Sequence, residues 1–101
     1  MIIYNVTVKI DHSVQVDWLT WMIEKHIPDV MQTNLFQKNR ICRLLEQNES
    51  DGIGYAIQYE CKNMTDFFTY QKEFAPALQA EHKERYKDKF VAFRTLMRVI
   101  E

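Results

Sequence analysis

Residues 2–10, IIYNVTVKI, alternate without a break: Ile2, Tyr4, Val6, Val8 and Ile10 fall on one side, Ile3, Asn5, Thr7 and Lys9 on the other. A period of two carried by β-branched residues predicts a strand with one apolar face. Asp11, His12 and Ser13 then offer caps for a helix beginning near Val14. On a helix, turning about 100° per residue, Trp18, Leu19, Met22, Ile23, Ile27 and Val30 share one arc. Pro28 disfavours helical geometry at Ile27, so the helix is expected to end or kink there.

Two further apolar segments, residues 35–47 (LFQKNRICRLLEQ) and 53–62 (IGYAIQYECK), flank the turn sequence NESDG. Read as a hairpin closed by a two-residue Asp51-Gly52 loop, they pair Arg43 with Glu60, Leu44 with Tyr59 and Cys42 with Cys61. Leu44, Cys42, Tyr55, Ile57 and Tyr59 then share one face, and Ile41, Arg43, Leu45, Ala56, Gln58 and Glu60 the other. Asn63 or Thr65 can cap a second helical stretch in which Phe67, Phe74, Leu78, His82 and Tyr86 recur at spacings of four or seven. Pro76 divides it into a helix to about Glu73 and another with Pro76 in its first turn. The closing KFVAFRTLMRVI reads as a strand, with Val91, Phe93, Met97 and Val99 on one side and Ala92, Arg94, Leu96 and Arg98 on the other.

The order is β-α-β-β-α-β, the ferredoxin-like pattern: an α+β fold whose four-stranded antiparallel sheet has helices on one face. With 101 residues, 47% hydrophobic and 13% aromatic, the chain is expected to form a single domain over 1–101. A net charge of −1 gives no general reason to bind phosphate backbones, so nucleic acid is not an expected partner. No apolar run approaches the ~20 residues of a membrane helix. The apolar N-terminus lacks a basic start and does not read as a signal peptide. Cys42 and Cys61 have no second pair to complete a zinc spacing. A cytoplasmic protein without metal or cofactor is the expectation.

The sheet face away from the helices decides the rest. It is expected to carry Ile3, Ile41, Leu45, Ala56 and Leu96 among Asn5, Thr7, Arg43, Gln58 and Arg94. Covering about 400 Å² of such a surface contributes roughly 10 kcal/mol gross, before entropy and polar desolvation are subtracted. A symmetric homodimer, sheet against sheet, is the simplest cover.

The stretches MIIYNVTV, WLTWMIEKHIPDV, YAIQYE, FAPALQAEH and KFVAFRTLM together resemble the dimeric α+β barrel superfamily, which includes antibiotic-biosynthesis monooxygenase-like and haem-degrading proteins. More closely, the chain is similar to a group of short bacterial proteins of that superfamily with no assigned activity. The resemblance implies the fold and the dimer; superfamily functions are too diverse to follow from it.

Asn5, Thr7, Arg43, Gln58 and Arg94 are the candidate cavity residues. An arginine among amides and hydroxyls can orient the carboxylate or carbonyl of a small molecule. Ion pairing with Glu60 or a dimer mate is the competing account of the arginines. His26 reads as a buried anchor at a helix C-terminus, where the dipole favours the protonated ring, and otherwise as a functional histidine. His82 also faces inward, but antiparallel helices are expected to hold the two imidazoles at opposite ends, so they share no metal. Two functions follow: a homodimer binding a small molecule or partner between its sheets, or an isomerase- or monooxygenase-like enzyme that needs little or no cofactor. In the second, Arg94 stabilises an anionic substrate while a neighbouring polar group moves a proton.

Overall fold

Antiparallel pairing on both edges places strand β1 (Ile2–Ile10) at the centre of a sheet with β3 (Ile53–Cys61) on one side and β4 (Phe90–Arg98) on the other. Strand β2 (Lys38–Arg43) closes the order β2-β3-β1-β4. The computed structural model describes residues 1–101. Ile2, Tyr4, Val8 and Ile10 of β1 meet Ile53, Tyr55, Ile57, Tyr59 and Cys61 of β3 in the core beneath the helices. The alternation legible in IIYNVTVKI is thus the division between the two faces of the sheet.

The helical half begins with a single 3₁₀ turn (His12–Val14), whose Asp11 side chain accepts the Ser13 N–H. Helix α1 (Gln15–Trp21), a π-helical turn (Met22–His26) and helix α2 (Ile27–Met31) then run on continuously. Of the expected end or kink at Pro28, the end does not occur: the helix runs on to Met31, with a π turn just ahead of the proline. Within the π turn the Ile27 N–H bonds to the Met22 carbonyl, five residues back. A widened turn ahead of a proline relieves the clash of its ring with the preceding carbonyls. The same widening lets both Met22 and Ile27 face the core, and turns Ile23 out of its predicted arc to 52% exposure.

Asn63 caps helix α3 (Met64–Glu73) by accepting the Asp66 N–H at 2.9 Å, and helix α4 (Ala75–Arg85) begins with Pro76 in its first turn. Both elements lie where the sequence puts them.

The β2–β3 register differs from expectation. Cys42 lies opposite Ala56, Arg43 opposite Tyr55, and Cys61 pairs with Ile2 of β1, so the cysteines do not face each other. Residues 44–52 form a longer connection held against β1. Lys9 binds the Asp51 carboxylate and the Asn48 carbonyl, His12 contacts the Glu49 carbonyl, and Arg43 binds the Glu49 carboxylate at 2.9 and 3.1 Å. A slip by an odd number of residues exchanges the faces of a strand. Ile41 and Arg43 therefore move to the helix side, and Arg43 leaves the candidate cavity.

Strand β4 differs in the same way. Arg94 lies opposite Val6, Ala92 opposite Val8 and Leu96 opposite Tyr4. Directly opposed residues share a face, so Arg94 and Leu96 lie on the helix side, not the open one. Phe90 sets this parity: it pairs with the fully buried Ile10 and packs edge-on against His82, ring centres 4.4 Å apart. The open face carries Val91, Phe93 and Met97 instead, at 67%, 63% and 38% exposure, beside Ile3, Asn5 and Thr7.

Candidate functional site

Five residues proposed from sequence as one cavity divide between three places. Asn5, Thr7 and Gln58 do come together on the open face, where Asn5 donates to the Thr7 hydroxyl at 3.0 Å and accepts from Gln58 at 3.3 Å. They satisfy one another. Arg43 sits at the end of β2, engaged with Glu49. Arg94 is on the far side of the sheet, at the mouth of a cleft between β4 and the helices.

That cleft has two adjoining chambers with Tyr4, Tyr70, Gln79 and Arg94 lining both. The outer one, about 300 Å³, is walled by Phe67, Ala75 and Leu96. The inner one is about 40 Å³; Met22, His26, Tyr59, His82 and Phe90 enclose it. Strand alternation sends Tyr4 and Arg94 into the cleft from the sheet, and the π turn and α4 supply the two histidines from above.

The Arg94 Nε donates to the Tyr4 hydroxyl at 3.1 Å, and the guanidinium forms no ion pair within the chain. Deeper in, the Trp18 indole N–H donates to Nε2 of His82 at 2.9 Å. Burial, with His26 and Arg94 nearby, pushes the His82 imidazole down to about 4. Burial likewise lowers His26, against the partial pull of Glu81 and Asp29. At neutral pH both rings are uncharged. This reverses the expectation that a helix C-terminus favours a protonated His26: the helix continues past it to Met31, so the ring is desolvated in mid-helix. Burial raises the phenols of Tyr59 and Tyr70, which stay protonated.

Nor do the histidines lie at opposite ends. Their ring centres are 5.8 Å apart at 64°, with Trp21 packed against both. The extension of the helix through Pro28 accounts for this, because His26 sits more than a turn above the helix end. The pair stands without a third metal-ligating side chain, since no cluster of three or more His, Cys, Asp or Glu exists.

Sequence reasoning missed Tyr4, Tyr70 and Gln79 as lining residues and misassigned the face of Arg94. The signal for Arg94 was its even spacing from Phe90, a ring too large and apolar to be left outside the core. The chemistry assembled is one unpaired cation, phenol and amide groups at the mouth, two neutral imidazoles at the floor, and apolar walls. Such a set has the chemistry to hold a small planar molecule.

Solved structures place the fold. HapK from Hahella chejuensis superposes with a TM-score of 0.74 at 10% identity, covering 99% of this chain and 93% of that one. SnoaB, a cofactor-independent oxygenase from Streptomyces nogalater, gives 0.71 at 10% identity, covering 99% and 94%. An antibiotic biosynthesis monooxygenase gives 0.63 at 11%, covering all of both chains. At these identities the likeness is one of fold, the ferredoxin-like α+β architecture of the dimeric α+β barrel proteins. No curated protein matches the chain in sequence. The model of the DUF4286 family, a domain of unknown function, matches residues 1–100, and the chain belongs to that family.

Proposed function

We propose that this protein binds a small organic anion with a planar apolar body in the cleft between β4 and the helices, and that it does so as a homodimer. The observation that carries the reading is Arg94. A guanidinium with no carboxylate partner, standing at the junction of two chambers walled by aromatic rings, is a ready receptor for a carboxylate or enolate. The combined space lies at the small end of ligand pockets, which begin near ~300 Å³. The dimer reading rests on the open face, where Val91 and Phe93 would be wasted on water. Free Cys42 and Cys61 suit a reducing cytoplasm.

Ligand and dimer would then occupy opposite faces of the sheet, so the cavity belongs inside each subunit and not between the two sheets. An enzyme needing no cofactor, isomerase- or oxygenase-like, is the second reading. The neutral His26 imidazole favours it, since its Nδ1 has no hydrogen-bond partner in the chain and is free to exchange a proton with a bound ligand.

Calorimetric titration with benzoate and with benzyl alcohol, its uncharged counterpart, tests the first reading. Benzoate should bind at least about tenfold more tightly, and Arg94→Met should abolish the difference. Equal affinities in the wild type, or a preference that survives Arg94→Met, would remove the anion site.

A further inference from the structure

An indole nitrogen can only donate a hydrogen bond. The 2.9 Å contact from Trp18 therefore makes Nε2 of His82 the acceptor, and a neutral imidazole then carries its proton on Nδ1. No group of the chain accepts from that N–H, although the residue is only 8% exposed and its ring lines the inner chamber. Across the same chamber Nδ1 of His26 is buried without any hydrogen-bond partner. The buried, unpartnered His26 nitrogen costs about 1–3 kcal/mol. A donor and an unpaired nitrogen lie on rings with centres 5.8 Å apart, and the space beside them is about 40 Å³. A hydroxyl is the smallest group that accepts from one and donates to the other.

We propose that Trp18 locks His82 as a hydrogen-bond donor and that the His82 and His26 rings together seat a hydroxyl of the ligand. The proposal rests on the anion site at Arg94 and narrows its ligand class. With the hydroxyl in the inner chamber and the ring in the larger outer one, the anionic end meets Arg94, which lines both, so the ligand is a hydroxyaromatic carboxylate or enolate whose two polar ends are well separated. Trp18 is a positioning residue here: fully buried, it never meets the ligand and acts by fixing which nitrogen of His82 holds the proton.

The test compares 4-hydroxybenzoate with benzoate on the full chain. The wild type should favour the hydroxylated acid by about tenfold, the worth of one good neutral hydrogen bond. Nitrogen-resolved imidazole NMR at neutral pH should find the His82 proton on Nδ1. His26→Phe should bring the affinity ratio close to one, and Trp18→Phe should give His82 a mixture of tautomers. Equal affinities in the wild type overturn the hydroxyl seat and leave the anion site standing. Failure of both acids to bind overturns both proposals, and a His82 proton on Nε2 overturns the lock. Should either variant fail to fold, the wild-type ratio and spectrum still decide.

Discussion

Trp18 and His82 are distant in sequence and joined by one buried hydrogen bond, and the imidazole there titrates near 4 instead of near the ordinary 6.5. The unfolded chain therefore takes up a proton before the folded one as pH falls. The stability contributed by a neutral His82 is complete above about pH 6.5 and is lost as the pH drops towards 4. His26 is shifted the same way and adds to the effect. A loss on the order of 3 kcal/mol is expected for His82 between neutral pH and about pH 4, measured by urea unfolding at a series of pH values. His82→Gln keeps an acceptor for the indole and should flatten the profile; a protein that gained stability on acidification would contradict the account. Arg94 behaves differently. It is exposed at the mouth of the cleft, so Arg94→Met should leave unfolding free energy within about 0.5 kcal/mol while removing anion binding.

At the scale of elements, the structure rewards local signals and punishes long-range inference. Asn63 is legible as a cap because its side chain meets an N–H three residues on; Asn63→Ala should cost about 1 kcal/mol in the same unfolding assay. Pro76 likewise announces the start of α4. Pro28 looks the same in sequence and acts differently, because a π turn upstream absorbs it, and no residue in MIEKH marks that turn. The hairpin was misread for a tertiary reason. Asp-Gly suggests a tight turn, whereas Lys9 and His12, both from outside the hairpin, hold residues 48–51 against the end of β1. Gly52 has φ of 153°, and a Cβ there would lie 2.7 Å from the Ile10 carbonyl oxygen. Gly52→Ala should therefore destabilise by about 1–3 kcal/mol, read as a lower urea midpoint. The parity of β2 and β4 carried the candidate site with it. The amide and hydroxyl cluster of Asn5, Thr7 and Gln58 survived because all three lie on the two central strands, whose faces were read correctly. Arg43 and Arg94 come from the edge strands, whose registers depend on contacts the sequence does not display.

The whole molecule is a sheet with one face under helices and one without. The sequence reading reached that division, and the excess of apolar groups on the bare side, through a partly wrong roster of residues. Phe93 and Val91 now lead it. If a second copy covers them, light scattering at micromolar concentration should give twice the chain mass, and Phe93→Lys should give a monomer that retains benzoate binding. A wild type that stays monomeric there would remove the dimer and leave the cleft untouched.

Neighbouring residues of β1 point to opposite worlds: Tyr4 holds Arg94 above the sheet, while Asn5 is tied to Thr7 and Gln58 below it. A single layer of backbone thus separates the cleft from the open face. Saturation should follow a plain hyperbola with one equivalent per chain, and diluting the protein until any assembly dissociates should leave the half-saturation point where it was.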